Sequence, residues 1–267
     1  MCRVLRYLSL SALLMGYSIM SNADVIDHSI WDGLLKKYVQ AINDGKSTSV
    51  DYAGFLKEQG QLNLYLDKLS AMPLSEFDAL AKEDQLAFLM NAYNAWTVDF
   101  ILTKYPDLKS IKELGSFFRS PWKKEFIPLL GETRSLDDIE HNLIRGSGRY
   151  KEARIHFSVN CASIGCPALR AEAFIGSRLN AQLEEQTQLF LSDKTRNRIS
   201  KDTLEVSSIF KWYKEDFEKG WSGVDSLENF FALYAEFLNL SDQQVLALKE
   251  DNLDIKFLDY DWRLNKK

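Results

Sequence analysis

The residues best suited to chemistry lie in one short stretch of the chain that begins at Arg154. From Arg154 to Asn160, polar and apolar side chains alternate, which predicts a β-strand with His156 and Asn160 on its polar face. Cys161 and Ser163 follow in a predicted turn. A strand with one solvated face would alternate in the same way. However, such faces favour Lys, Glu and Thr, whereas His, Ser, Asn and Cys together indicate a surface at which something is bound or cleaved.

The imidazole groups available to such a site belong to His28, His141 and His156. His28, near the start of the chain, is predicted to be an exposed surface residue. In an extended strand the Cα atoms of His156 and Cys161 would be roughly 16 Å apart, too far for their side chains to meet. His141 lies on a predicted helix one turn after Asp137, whose carboxylate can fix the imidazole tautomer. If Cys161 has a histidine partner, His141 is therefore the expected one.

A thiol site is the first interpretation of these residues. An ordinary cysteine has a pKa of about 8.5 and is only a few per cent thiolate at neutral pH, so a nucleophilic Cys161 needs a base such as His141. Asp137 or Glu140 would orient that imidazole. Asn160 and backbone N–H groups of the turn would stabilise an oxyanion. In this hypothesis the protein is a cysteine-dependent hydrolase or acyltransferase.

Two alternatives remain open for the same residues. In a non-catalytic binding module, Cys161 and Cys166 would form a disulfide that holds the loop. That bridge closes a very short loop, so the chain-entropy model gives a stabilisation of only about 2 kcal/mol. A zinc site built from His141, His156 and the two cysteines has suitable ligand types, although the spacings match no familiar zinc pattern. Apart from that alternative, the sequence predicts no metal and no cofactor.

The candidate site needs a scaffold, and the most distinctive part of it is a helix predicted over residues 85–104. Apolar side chains cover nearly every direction around its axis, which predicts a buried central helix. Asn91 and Asn94 lie on this helix, and buried amides need partners. We expect both to be inaccessible and bonded to the segment from Asn160 to Ser163, where they brace the loop or line a site. The candidate substrate-binding residues are therefore His156, Asn91, Asn94 and Ser163.

The other elements predict the fold class. Helices dominate the first third of the chain, and further helices are predicted over 135–145, 177–191, 210–217, 227–238 and 243–248. Hairpins are predicted over 125–136 and 196–206, with a closing strand over 255–264. This order predicts a helix-rich α+β protein with a small, mostly antiparallel sheet. Because no linker or repeat interrupts the chain, residues 24–267 are predicted to form a single domain.

The start of the chain has the pattern of a secretory signal peptide. Arg3 and Arg6 precede a mostly apolar stretch over 7–20, and small residues then lead to Ala23, the predicted cleavage site. The apolar stretch is too short, and too rich in Ser, for a transmembrane anchor. The sequence therefore predicts removal of residues 1–23 and a periplasmic or secreted protein.

The composition limits the classes of partner. The whole chain has a formal net charge of −5, and loss of the two arginines in residues 1–23 would make it −7. An acidic chain with scattered basic residues is a poor nucleic-acid binder, because that affinity comes mainly from phosphate neutralisation. No basic amphipathic segment is present, so stable membrane insertion is not predicted either. An unknown small molecule or peptide is the expected partner.

Several segments of the chain resemble, in this order, a known family. They are the run LAFLMNAYNAW over 86–96, the IEH of 139–141, the stretch HFSVNCASIGCP over 156–167, and the aromatic motifs FKWY, DF and YDW at 210–213, 216–217 and 260–262. They are similar to the family catalogued as domain of unknown function 547, with a family-like core over about 80–262. The family has no assigned reaction, so the resemblance implies no catalytic role. It marks as parts of the family pattern Asn91, Asn94, Glu140, His141, His156, Asn160, Cys161 and Cys166.

Overall fold

Helices make up most of the protein, and short hairpins flank them. The structure is a computed structural model that describes residues 26–116 and 118–267, so the predicted signal peptide lies outside the described part. The α-helices are α1 (Ser29–Tyr38), α2 (Tyr52–Lys57), α3 (Gln59–Ser70), α4 (Leu74–Ala79), α5 (Lys82–Leu102), α6 (Leu179–Ser192), α7 (Ile209–Trp212), α8 (Lys214–Glu218), α9 (Leu227–Leu233), α10 (Ala235–Leu238) and α11 (Asp242–Lys249).

The remaining elements are short strands and tighter or wider helical turns. The strands are β1 (Val39–Ile42), β2 (Ser47–Val50), β3 (Ile127–Leu129), β4 (Glu132–Arg134), β5 (Arg198–Ser200), β6 (Thr203–Ser207) and β7 (Asp254–Leu258). A π-helix spans Asp138–Arg145, and 3₁₀ helices span Ile111–Leu114, Pro121–Lys123, Ala153–Phe157, Gly176–Arg178 and Trp221–Gly223.

The strands pair locally into three small sheets. β1 pairs with β2, β3 with β4, and β5 with β6, all antiparallel, while β7 adds to β6 in parallel with Leu204 opposite Ile255. The predicted helix-rich α+β class with small, mostly antiparallel sheets is confirmed. Both predicted hairpins are present, but the closing strand is shorter than expected and ends at Leu258. The tail beyond it forms a β-bridge from Leu264 to Ser163 instead.

Helix α5 is the buried centre that the sequence predicts. All of its residues from Gln85 to Leu102 are buried except Asp99, which is partly exposed. Helices α2 and α3 pack against it on one side, and the π-helix packs against it on another. Because every face of α5 meets protein, its polar side chains must find partners inside the structure.

Asn91 and Asn94 are both buried, as predicted, but they have different partners. The Asn94 amide donates to the Ser158 carbonyl at 3.0 Å, and its oxygen accepts from the Asn160 backbone N–H at 2.8 Å. Asn91 instead exchanges two hydrogen bonds with the backbone of Phe174, so its predicted contact with the segment after Asn160 is wrong. Residues three apart on an α-helix differ in direction by about 60°, which brings the two amides to different neighbouring segments.

The predicted strand from Arg154 to Asn160 is wrong. Its first part is the 3₁₀ helix Ala153–Phe157, and the remainder is irregular. Both sets of alternating side chains are buried, because the segment lies between two apolar clusters: Ile155 packs in the first and Phe157 in the second. Because neither the 3₁₀ helix nor the irregular part is a strand, the separation expected for an extended chain does not apply between His156 and the cysteines.

The two apolar clusters meet along helix α6. The first surrounds α5 and includes Leu183, whereas the second surrounds Phe210 and Phe230 and includes Phe190. Two predicted helices are interrupted around this second cluster, with α7 and α8 replacing 210–217 and α9 and α10 replacing 227–238.

His28 is buried rather than exposed, and its Nδ1 lies 2.7 Å from the Tyr65 hydroxyl.

None of the helices in residues 26–116 and 118–267 combines the length and the apolar character that crossing a membrane requires.

Replacing Asn94 by leucine should destabilise the protein despite the gain in apolar surface. The substitution leaves the Ser158 carbonyl and the Asn160 N–H unpaired in the interior, at about 1–3 kcal/mol for each group. Urea unfolding should therefore show a loss of roughly 2–6 kcal/mol in the free energy of unfolding. The matched control is Asn63→Leu on the exposed face of α3, which should change stability by less than about 0.5 kcal/mol. Equal stability of the two variants would contradict the role given to Asn94.

Candidate functional site

A pocket of about 220 Å³ brings together most of the predicted site residues. Its polar lining consists of Asp137, Glu140, His141, His156, Cys161 and Cys166. Its aromatic lining consists of Tyr93, Trp122, Trp212, Tyr213, Tyr260 and Trp262. The other predicted residues, Asn91, Asn94, Asn160 and Ser163, are buried behind this lining rather than in it. Elements from both apolar clusters therefore meet at one cavity.

The π-helix places Glu140 and His141 in the pocket wall. Ser135 caps the short helical turn that begins at Leu136 and leads into the π-helix, as the sequence predicts, since its hydroxyl accepts from the Asp138 N–H at 3.1 Å. At the other end, the Gly146 N–H donates to the His141 carbonyl at 2.7 Å, which closes the wide turn. A Cβ at Gly146 would lie 2.7 Å from that carbonyl oxygen, so the turn requires glycine. Wide π-turns occur frequently at functional sites.

His141 is held between a cation and a carboxylate. Arg145 Nη1 lies 2.6 Å from Nδ1 of His141, and because a guanidinium can only donate, that nitrogen must be the acceptor. The imidazole proton is therefore on Nε2, which faces the Asp137 carboxylate at 3.6 Å. The side chain is 36% exposed on the pocket side. The expected Asp137–His141 pair is thus present, and Arg145 is an additional neighbour that no pattern in the sequence indicates.

His156 is fully enclosed and pairs with Asp216. Its Nε2 lies 2.8 Å from Asp216 Oδ2, and its ring stacks on Tyr213 with 3.9 Å between centroids. Burial lowers the pKa of His156 and outweighs the effect of Asp216, so the neutral ring donates to the carboxylate. Burial alone would raise the pKa of Asp216, but hydrogen bonds from His156, Arg145 and Lys219 hold it well below its usual range.

Glu140 is a buried carboxyl group whose neighbours are phenols. Tyr93 and Tyr213 line the pocket with it, and the pKa of both tyrosines is raised, chiefly by burial and further by Glu140. In the described part of the chain, Asp137 faces His141 and Asp216 forms an ion pair with Arg145, and no ion pair includes Glu140. The pocket therefore contains a carboxyl group without a basic partner.

Aromatic side chains from three segments form the opposite wall. Trp262 contacts Trp122 and stacks on Trp212, with centroid distances of 5.5 Å and 5.7 Å. Tyr260 lies between them, 4.8 Å from Trp212 and 4.5 Å from Trp262. The motifs FKWY and YDW supply most of this wall, yet the sequence alone did not place Tyr260 or Trp262 beside the cysteines.

Cys161 and Cys166 form a disulfide whose Cα atoms are 6.1 Å apart. The sulfur of Cys161 lies 3.2 Å from the Ser163 hydroxyl and 3.1 Å from that of Tyr260. Its neighbours in this oxidised state are hydroxyls, and no described imidazole is hydrogen-bonded to it. Of the sequence alternatives, the disulfide is the one present here, and the pairing of Cys161 with His141 stays a prediction for the reduced protein.

Asn160 holds the cysteine loop. Its amide donates to the Pro167 carbonyl at 2.7 Å, and its oxygen accepts from the Ala162 N–H at 2.9 Å. These two bonds span the loop and support Ala162 in a left-handed conformation, with φ of 60°. Both polar atoms of the side chain are used within the loop, so the structure gives Asn160 a positioning role, and its predicted part in stabilising an oxyanion stays untested.

The zinc alternative lacks a ligand set in this arrangement. Within 26–116 and 118–267, no three side chains of the His, Cys, Asp or Glu type are grouped to hold a metal ion. The two sulfur ligands that this alternative needs are bonded to each other.

Residues 77–191 match the family described as a protein of unknown function, DUF547. The chain resembles that family over this segment. The DUF547 segment runs from Phe77 in α4 to Leu191 in α6 and contains the disulfide loop, the π-helix and both pocket histidines. The rest of the predicted family-like core, up to about residue 262, is not covered by the match and includes Asp216 and Tyr260. No curated protein and no solved structure is similar enough to match the chain.

Asp216→Asn should destabilise the protein by an amount that depends on pH. Because folding lowers the pKa of Asp216, its carboxylate stabilises the fold above the ordinary value of about 3.9, and this stabilisation is lost as the pH falls through the lower folded-state value. Removing the partner of Arg145 and His156 should cost roughly 3 kcal/mol at pH 7. When urea unfolding is measured across pH, the difference in free energy of unfolding between the parent and Asp216→Asn should narrow only below about pH 4.

The control is Asp202→Asn, at an exposed carboxylate in the turn between β5 and β6. It should stay within about 0.5 kcal/mol of the parent. A small loss of stability for Asp216→Asn at pH 7 would contradict the contribution given to the Asp216–Arg145 ion pair.

Proposed function

We propose that this protein is an exported binding protein that takes the positively charged amino group of a small molecule or peptide into the aromatic pocket. The observation that carries the proposal is Glu140, a buried carboxyl group that faces an aromatic cavity and has tyrosine hydroxyls as its neighbours. A buried carboxylate is costly unless a positive charge or strong donors compensate it. A cationic ligand would supply that charge.

The rest of the lining supports a cation of modest size. Trp212, Tyr213 and Trp262 present aromatic surface, and the faces of aromatic rings attract ammonium groups. Asp137 adds a second carboxyl group at the same cavity, where burial raises its pKa. A volume of about 220 Å³ suits an alkyl-ammonium side chain rather than a large cofactor.

Export is the second part of the proposal, and it rests on residues 1–23 and on the cysteine pair. A positive start, a short apolar stretch and the small residues before Asp24 fit cleavage by a signal peptidase. A disulfide within the folded protein fits an oxidising compartment.

N-terminal sequencing of the mature protein should therefore begin at or near Asp24. An intact Met1 on the exported protein would contradict the predicted cleavage.

Thiol catalysis is a second candidate, because Cys161 and His141 line the same cavity. In a reduced protein, Cys161 would be the nucleophile and His141 the base of a hydrolase or acyltransferase, with Asp137 and Glu140 beside it. The measurement is alkylation of the reduced protein by iodoacetamide. Faster labelling of Cys161 than of Cys166, slowed by His141→Ala, would favour this candidate. Equal labelling rates of Cys161 in the parent and in His141→Ala would remove it.

Binding should depend on the charge of the ligand and on Glu140. The probes are n-butylammonium against 1-butanol, and N-acetyl-lysine amide against N-acetyl-norleucine amide. Fluorescence of the pocket residues Trp122, Trp212 and Trp262 reports occupancy. We expect the cation of each pair to bind at least about tenfold more tightly, equivalent to about 1.4 kcal/mol. Glu140→Gln keeps an acceptor for the tyrosine hydroxyls and should abolish this preference.

The control variant is Glu250→Gln, which removes an exposed carboxylate beyond the end of α11. Glu250→Gln should bind both probes of each pair with the same affinity as the parent protein. Equal binding of cation and neutral probe by the parent, or an unchanged preference in Glu140→Gln, would contradict the proposed ligand.

A further inference from the structure

The disulfide lies in the pocket wall, and its two cysteines are unequally exposed. Cys161 is partly exposed, whereas Cys166 is only 3% exposed. Both residues line the cavity. A molecule that enters the pocket can therefore reach the bridge, and it meets Cys161 first.

Hydrogen bonds hold the loop independently of the sulfur bridge. The Ile164 N–H donates to the Arg263 carbonyl and the Gly165 N–H to that of Asp261, both at 2.8 Å, and the Asn265 N–H donates to the Ala162 carbonyl at 3.2 Å. These bonds add to the two that Asn160 makes within the loop. A bridge between cysteines five residues apart adds little entropic stabilisation to a loop fixed in this way. The bridge is therefore not needed to shape the loop.

Donors surround the sulfur of Cys166. The Cys161 N–H donates to it at 2.8 Å, the Tyr260 hydroxyl lies at 3.1 Å, and the Ser163 hydroxyl lies at 3.6 Å. Burial raises the pKa of Tyr260, so its phenol keeps its proton at neutral pH. A Cβ at Gly165 would lie 3.0 Å from the Tyr260 ring, so the glycine allows the ring to approach the sulfur atoms. Such donors favour a thiolate over a neutral thiol.

We propose that the Cys161–Cys166 bridge is a redox-active disulfide that oxidises small-molecule or peptide thiols reaching it through the pocket. The thiolate of the first thiol attacks Cys161 Sγ, the Cys161–Cys166 bond breaks, and its electron pair leaves on Cys166 as a thiolate. The thiolate of a second thiol attacks the substrate sulfur of the mixed disulfide, which releases a disulfide product and the Cys161 thiolate. Two thiols lose two electrons and two protons, and the cysteine pair gains them.

The placement of the donors sets the direction of this exchange. A leaving thiolate that is stabilised departs faster, and a stabilised reduced form makes the disulfide the stronger oxidant. The hydroxyls of Tyr260 and Ser163 lie near both sulfur atoms, but Cys166 also accepts the Cys161 backbone N–H and is buried. Attack on the more exposed Cys161 with departure of Cys166 uses both features. A structural bridge shows the opposite behaviour, because folding makes it harder to reduce.

This activity does not depend on the cationic ligand, because a thiol needs only access to Cys161. Its test contains no amine, so failure of either proposal leaves the other standing.

The experiment compares the disulfide in the folded and the unfolded chain. The full chain carries Cys2→Ser, which leaves Cys161 and Cys166 as its only cysteines. It is equilibrated at pH 7 with buffers of reduced and oxidised glutathione, with and without concentrated guanidinium chloride, and free thiols are counted by alkylation and mass spectrometry. We expect the folded chain to be reduced at a glutathione ratio at least roughly tenfold less reducing than the unfolded chain requires. A folded chain that is harder to reduce than the unfolded one overturns the proposal.

Variants assign the roles of the individual groups. Tyr260→Phe keeps the ring and removes the hydroxyl. Half of the folded chain should then be reduced only at a glutathione ratio roughly tenfold more reducing than the parent requires. Tyr150→Phe, which removes a hydroxyl bonded to Gln85, should leave the midpoint unchanged. Cys166→Ser treated with oxidised glutathione should form a mixed disulfide at Cys161, and its absence counts against the proposal. The comparison of folded and unfolded chain uses the unaltered site, so it decides the question even where a variant fails to fold.

Discussion

The amide of Asn94 connects the buried helix α5 to the loop that carries both cysteines. Its two hydrogen bonds fix Ser158 and Asn160, and the side chain of Asn160 in turn fixes Ala162 and the carbonyl of Pro167. In a low-dielectric interior each of these bonds is strong, and each group left unpaired is costly. The position of the disulfide therefore depends on an amide in the middle of an otherwise apolar helix.

A layer of buried polar groups lies next to that connection. Asp216 on α8 joins Arg145 of the π-helix to His156 of a 3₁₀ helix, so elements from distant parts of the sequence share one carboxylate. The stacking of His156 on Tyr213 places an aromatic ring between this layer and Glu140. These groups bond one another behind the pocket wall, and Glu140 in the wall itself takes part in none of their ion pairs.

Much of this scaffold could be predicted because its signals are local. The all-round apolar surface of α5 predicts burial, Ser135 predicts the start of the helix that carries His141, and Gly131 marks the turn of the hairpin between β3 and β4. Burial of Asn91 followed from the same reasoning, although its partner did not. Such predictions need only residues that are neighbours along the chain.

The remaining features depend on contacts between distant segments. Polar and apolar residues alternate around His156 in a way that fits a strand with one solvent-exposed face and also a 3₁₀ helix between two apolar clusters. The sequence alone therefore cannot distinguish these two structures. The neighbours of the cysteines include Tyr260, nearly one hundred residues later, and no local pattern brings it there.

The last residues of the chain have a consequence for the order of assembly. Asn265 accepts from the Tyr52 hydroxyl and its N–H bonds the cysteine loop, while Lys267 and Val50 are joined by a backbone hydrogen bond. Contacts between residues this far apart in the sequence form slowly, because a large loop must close first. Cys161 and Cys166 can collide as soon as both have been synthesised, whereas Tyr260 reaches them only when the tail docks. The bridge can therefore form in a nascent chain before the pocket exists, and docking of the tail then completes its chemical surroundings.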